Sequence, residues 1–279
     1  MKRARESRNQ RGFTLIELLT ALGIFLLICG AAFSLLTSSQ QRYQTESQVL
    51  NSFQEARLGL DQIVRDVNDS GFPPRTFDDG TGTGAVQFPF AWSAGAGYPG
   101  APCQIGTAGG GNCSTATAGI NSPGDFDLMI ETNPNASQIQ WIRYQLQGTT
   151  LMRGMAQKVV GTDPDAATTA TTPAPTLAPF VQNVVNNVCP PPIPNCQASY
   201  PGLFPGGAPV PIFSYACDNS LRPPPTISCP SAPTADNSPA NIREVNITLI
   251  VAAPLPDATT GQARLVMLNG RGRRINPNQ

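Results

Sequence analysis

The sequence predicts an α+β fold: a long N-terminal α-helix, membrane-spanning in its first half and amphipathic in its second, packed on a C-terminal antiparallel β-sheet with long Gly- and Pro-rich loops. Three observations predict it. No proline occurs between Phe13 and Gly71, so nothing in that stretch blocks a continuous helix. From residue 126 onward, short runs rich in β-branched and aromatic residues recur between turn residues, as strands do. Glycine and proline are concentrated elsewhere, with 12 glycines between Gly80 and Gly124 and 18 of the 28 prolines between 161 and 240.

The chain opens with a basic leader, residues 1–12, holding Lys2, Arg3, Arg5, Arg8 and Arg11 against Glu6 alone. Residues 13–36 follow as an apolar segment of about 36 Å if helical, and a bilayer core needs about 30 Å. Basic flanks stay cytoplasmic, which predicts an N-terminus inside and a C-terminus outside the cytoplasm. A secretory signal peptide would have a shorter apolar core and a small-residue cleavage site after it. Glu17 is the exception in this segment, a carboxylate in its first turn. Near a helix N-terminus the peptide dipoles favour such a charge.

Residues 37–71 continue the helix. Val49, Phe53, Ala56, Leu60, Ile63 and Val67 recur at three- and four-residue steps, the stripe of a helix with one buried face. Gly71-Phe72-Pro73-Pro74 ends it, because proline disfavours helix in the residue before it. One helix of roughly 57 residues is expected, about 85 Å long.

Residues 72–124 read as a Gly-rich loop region and 125–279 as the sheet domain, with Pro-rich inserts across 161–240. Strand-like runs are FDLMIE (126–131), SQIQWIRYQLQ (137–147), TLMR (150–153), PVPIFSY (209–215), IREVNITLIVAA (242–253) and ARLVMLN (263–269). Gly148-Thr149 makes a hairpin turn between the second and third. FVQNVVNNV (180–188) fits a short helix or a strand equally.

Composition excludes several chemistries. The chain has no histidine, which removes Ser-His-Asp and Cys-His catalysis and imidazole zinc sites. Its 18 basic and 18 acidic residues cancel, and beyond the leader the balance is 13 to 17, against a protein dominated by phosphate contacts. Of seven cysteines, Cys29 lies in the apolar segment. Cys103, Cys113, Cys189, Cys196, Cys217 and Cys229 are even in number and lie in loop-like sequence, as disulfides in an oxidising compartment do. Neighbour pairing closes the shortest loops.

RGFTLIELL combines a basic leader ending in Gly12, then Phe13, then Glu17 at the fifth position counted from that phenylalanine. It resembles the type IV pilin signal. The resemblance implies that a prepilin peptidase cuts between Gly12 and Phe13 and N-methylates Phe13. The subunit then waits as a single-pass protein of the bacterial inner membrane. An inner-membrane assembly platform next moves it, with other pilin or pseudopilin subunits, into a filament at the cell surface. Many such helices carry a kinking proline about 22 residues into the mature chain, where Ser34 stands here. Gly23 and Gly30 could loosen the helix instead, or Gly30 and Ser34 could form a small-xxx-small packing face.

The helix end ARLGLDQIVRDVNDSG, the LMRG hairpin, PIFSY and IREVNITLIVA are loosely similar to W-type minor pilins and J-type minor pseudopilins of type II secretion. Either resemblance implies a structural subunit, not an enzyme, with no cofactor. A membrane-anchored adhesin or DNA-binding receptor is the reading from another class. GAGYPG (95–100) matches a nucleotide-binding spacing without the strand and helix it requires. Asp78-Asp79, Asp125/Asp127 and Asp163/Asp165 are better explained by turns and strand starts than by calcium. Arg271, Arg273 and Arg274 read as a solvated basic tail, with only weak nucleic-acid contact open to it.

Overall fold

The computed structural model describes residues 12–72, 89–91, 123–133, 139–157, 176–189, 196–218, 226–228, 242–256 and 261–274. Its elements are one long helix, α1 (Leu15–Asn68), and the strands β1 (Asp127–Thr132), β2 (Gln140–Gln147), β3 (Thr150–Gln157), β4 (Thr176–Val181), β5 (Phe213–Asp218), β6 (Thr226–Ser228), β7 (Ile242–Pro256) and β8 (Ala263–Arg273). A short helix, α2 (Cys196–Ser199), and a turn of 3₁₀ helix (Pro205–Gly207) precede β5. The chain divides into two compact units, residues 1–48 and 49–279, so the break falls inside α1 and not at its change from apolar to amphipathic.

In the first unit the helix presents its apolar side chains outward on every side, from Leu15 and Ile16 to Leu35 and Leu36. A helix apolar all round is stable against hydrocarbon or against other helices, not in water. Helical residues start at Leu15, two later than expected, because Thr14 is the cap.

In the second unit the expected stripe is the buried one. Ala56, Ile63 and Val67 are fully buried, with Leu60 and Val49 nearly so. The helix stops at Asn68, and Gly71, at φ +76°, turns the chain so that its N–H donates to the carbonyl of Glu131 (2.9 Å) on β1. A positive φ suits glycine because it has no Cβ.

The single sheet expected from the sequence is two four-stranded antiparallel sheets, ordered β1-β2-β3-β4 and β6-β5-β7-β8. The first ends at β4 because Pro179 there has no N–H for another neighbour. The chain then crosses to the second sheet. Val184 donates to Thr149 O (2.8 Å), and Val185 donates to Ile250 O (2.8 Å). The ambiguous 180–188 run is thus strand to Val181, followed by a crossing in which Asn183 takes φ +58°. Four strands also outrun their expected ends by three residues or more: β3 reaches Gln157, β5 Asp218, β7 Pro256 and β8 Arg273.

Both sheets turn alternate residues to the helix. Leu128, Ile130, Ile142, Tyr144 and Leu151 from the first sheet, and Val245, Ile247, Leu249 and Val251 from the second, share one core with the helix stripe. On the other face of the second sheet, Ile250 and Ala252 pack with Val185 and Phe204. Trp141 and Met129 pack with Ala91 on the other face of the first. Helix and second sheet approach closely at β8. A Cβ on Gly270 would lie 2.7 Å from Leu60 Cδ1, and one on Gly272 would lie 2.5 Å from Val67 Cγ1.

Arg271, Arg273 and Arg274 are therefore not a solvated tail. Arg271 and Arg273 belong to β8, which the neighbouring β7 holds through Asn246 and Glu244. Arg271 pairs with Glu244, and Arg273 Nε lies 3.9 Å from the same carboxylate. Arg274 is buried and donates through Nη1 to Ile242 O (3.1 Å). Burial lowers its pKa to about 10, still high enough to keep it charged. Most of the 72–124 segment and half of 161–240, with GAGYPG, Asp78-Asp79 and Asp163/Asp165, lie outside the described residues. Within 161–240 the described parts supply β4, β5 and β6.

Candidate functional site

The N-terminal site begins with a short stretch of chain ahead of the helix. Gly12 and Phe13 are exposed and non-helical, with Phe13 at 90% exposure and open space around Gly12. Such a peptide bond is accessible to a protease. Thr14 then caps the helix. Its hydroxyl accepts from Glu17 N–H (3.3 Å), while Glu17 Oε2 accepts from Thr14 N–H (2.9 Å) and from Thr14 Oγ–H (2.9 Å). This is a capping box, in which two otherwise orphaned N–H groups at the helix start are satisfied reciprocally.

The box answers how an acid is tolerated at this end of an apolar helix: its charge sits on the positive end of the dipole and takes two hydrogen bonds. Sequence reasoning placed Glu17 but missed Thr14, although Thr14-Leu15-Ile16-Glu17 carries the T-x-x-E spacing. Glu17 is fully solvent-facing here, so its carboxylate is available to a further cation.

A second arrangement fixes the amphipathic half of the helix to the first sheet. Asp66 Oδ2 accepts from Tyr144 Oη (2.5 Å) and from Arg153 Nη2 (2.9 Å), and Gln62 Nε2 donates to Asp66 Oδ1 (2.7 Å). Arg153 also donates through Nε to Tyr144 Oη (2.9 Å) and lies near the rings of Tyr144 and Phe180. Burial, reinforced by the charge of Asp66, pushes the Tyr144 hydroxyl far above its ordinary pKa, so it stays protonated and donates. Asp66 interrupts the buried apolar face at i+3 from Ile63, which was the one signal in the sequence for it.

On the outer face of the same sheet, Arg143 clamps Asp127 through Nε (3.0 Å) and Nη2 (2.5 Å), and Trp141 Nε1 donates to Glu131 Oε1 (3.0 Å). Asp125 works through its backbone instead, its carbonyl accepting from Ile212 and Phe213 N–H (2.9 and 3.0 Å). Asp127 thus serves a buried ion pair and Asp125 a backbone link between segments. Burial raises the Asp125 pKa.

Among the expected cysteines, Cys189 and Cys217 each take part in a disulfide. Cys103, Cys113 and Cys229, and the side chain of Cys196, lie outside the described residues. Cys29 is a free thiol on the exposed helix.

Residues 7–33 match the prokaryotic N-terminal methylation motif, so the chain carries a prepilin-type signal. The match spans Gly12, Phe13, Thr14 and Glu17 together. The helix that bears it is long and apolar enough to cross a membrane. No curated protein and no solved structure matches the chain. The motif supports a pilin or pseudopilin subunit, and it implies processing by prepilin peptidase and assembly with other such subunits.

Proposed function

We propose that the chain is a minor pilin, a structural subunit that enters or primes a type IV pilus after cleavage between Gly12 and Phe13. The observation that carries the reading is Glu17, the one carboxylate in the first turn of an outward-facing apolar helix and inside the methylation motif. Cleavage creates an amine on Phe13, four residues from Glu17 and so about one turn away. That cation faces the positive end of the helix dipole and is unfavourable there alone. In a filament, the Glu17 of one subunit meets the Phe13 amine of the next. Buried pairs of this kind add little net stability, but a buried charge without its partner is strongly unfavourable, so the pair sets register. Thr14 holds the Glu17 carboxylate in place until that partner arrives.

Before assembly the subunit sits in the inner membrane with its leader in the cytoplasm and residues beyond 37 in the periplasm. Bulk favours a minor role: a large exported part is awkward to repeat along a tightly packed fibre and acceptable at a tip. The protein acts as a building element and not as an enzyme. The J-type pseudopilin reading differs only in the machine that takes the subunit up.

Mass spectrometry of the mature protein tests the first step, with an N-methylated Phe13 as its first residue. A mature chain beginning at Met1, or after residue 36, overturns the reading. Glu17→Val should insert in the membrane yet fail to enter filaments; normal incorporation would refute the inter-subunit pair.

A further inference from the structure

We propose that the outer edge of β8 is a docking site for an extended segment of another polypeptide, apolar at alternate positions and carrying a carboxylate beside Arg271. The backbone directions establish the open edge. On β7, Thr248 N–H donates to Ile212 O (2.8 Å), Ile250 N–H to Asn186 Oδ1 (2.8 Å) and Ala252 N–H to Asn183 O (2.9 Å), all away from β8. Their neighbours Leu249 and Val251 therefore serve β8, at Leu268 and Val266. Antiparallel alternation then directs the N–H and C=O groups of Leu265, Met267, Asn269 and Arg271 outward. Among the described residues no hydrogen bond reaches those groups.

The opening has defined ends. Tyr200 Oη donates to the carbonyl of Ala263 (2.5 Å), and Arg273 N–H donates to Asn68 Oδ1 (2.8 Å). Side chains close both ends of the strand edge, and among the described residues the stretch between them is open.

The other edges are blunted. Residues 89–91 cover β1, with Ala91 N–H donating to Met129 O (3.0 Å) and Glu131 N–H to Pro89 O (2.9 Å). Pro179 lies in β4, and β6 has three residues. Proteins protect exposed edges with proline, shortness, cover or charge, and among the described residues the open part of β8 has only the last, in Arg271.

An added strand would continue two apolar rows. Leu268 packs against the core under the helix, and Leu265 and Met267 against the core on the other face. Side chains at alternate positions of the guest strand would extend these rows, which is how strand addition gains specificity. The charge pattern selects the guest. Arg271 and Arg273 both turn to Glu244, two cations to one carboxylate, and both arginine side chains are more than half exposed (62% and 55%). A carboxylate on the guest balances the excess. The β8 strand of a second copy, ARLVMLNGRGR, has no carboxylate to offer Arg271.

The test uses the full chain in detergent micelles and fluorescent peptides alternating valine and threonine, DVTVTVD and KVTVTVK. Fluorescence anisotropy should show the acidic peptide binding at least about tenfold more tightly than the lysine-ended one. Arg271→Glu should reverse that preference. A DVTVTVD peptide N-methylated at every backbone nitrogen should not bind, because it lacks the backbone donors. Hydrogen exchange should slow across 263–273 when the unmethylated acidic peptide is present. Equal binding of the methylated peptide, or unchanged exchange in β8, would overturn the proposal. Dimerisation through β8 without peptide would overturn it as well, assigning the edge to a second copy.

Discussion

Asp66 offers the sharpest test of how the helix is held. Its carboxylate takes Tyr144 and Arg153 on Oδ2 and Gln62 on Oδ1, while Arg153 is 23% exposed and Asp66 8%. Asp66→Asn can keep its amide oxygen toward Tyr144 and Arg153 and turn its amide nitrogen to Gln62, whose half-buried side chain can flip. What it loses is charge assistance, worth about 1–2 kcal/mol when a charged acceptor becomes neutral. Asp66→Leu removes every carboxylate acceptor and leaves Arg153 with Tyr144 and the Met155 sulfur. Stripping one partner from a fully buried pair costs about 3–5 kcal/mol, and the partial exposure of Arg153 reduces that to about 2–4 kcal/mol here. Urea unfolding of the full chain in micelles measures both, read by the fluorescence of Trp141, three residues from Tyr144 on the same strand. The expected order is wild type, then Asn, then Leu, with equal urea dependence. Leu within about 0.5 kcal/mol of wild type would refute the reasoning, because surface substitutions show changes of that size.

Further outcomes follow from other contacts. Gly272→Ala would place a Cβ where Val67 already stands and should destabilise by about 1–3 kcal/mol in the same unfolding assay, with Gly270→Ala costing less because Leu60 Cδ1 is a more flexible neighbour. Tyr144 and Tyr215 both keep their protons to higher pH when folded than when unfolded, from burial first. Above pH 10 the unfolded state has lost tyrosine protons that the folded state keeps, so these two groups make stability fall there, while Arg274, with a folded pKa of about 10, opposes one share. The slope is about 1.4 kcal/mol per pH unit for each tyrosine, and Tyr144→Phe should remove one such share. Asn186 donates to Val210 O and Thr248 O and accepts from Ile250 N–H, and Asn186→Leu should cost about 2–4 kcal/mol by leaving one buried and two half-buried backbone groups unmet. Thr14→Val should speed amide exchange at Glu17 by removing its acceptor, and unchanged exchange would refute the cap.

The helix was legible because its signals are local. A proline-free stretch, a stripe at three- and four-residue steps and a glycine-proline stop specify where it runs and which face it buries. The methylation motif was legible for the same reason, since Gly12, Phe13 and Glu17 are neighbours in the chain. Most strand positions could also be read, because alternation and turn residues mark them one at a time. Strand ends could not, since β3, β7 and β8 continue for as long as a neighbour pairs with them.

The tertiary structure alone decided what depends on distant partners. That Arg271 and Arg273 form strand and not tail rests on β7, and Glu244 lies 27 residues before Arg271. The division into two sheets rests on Pro179 and on the crossing at residues 183–186, which no period in the sequence marks. The pairing of Asp66 with Arg153 spans 87 residues. By itself the sequence determined a helix, its signal and the identity of the acid at its start, because helix and cap are made by residues within four positions of one another. Which charges are paired, and which strand edge is left open, is decided only when remote segments meet, because those contacts carry no spacing that a linear chain can display.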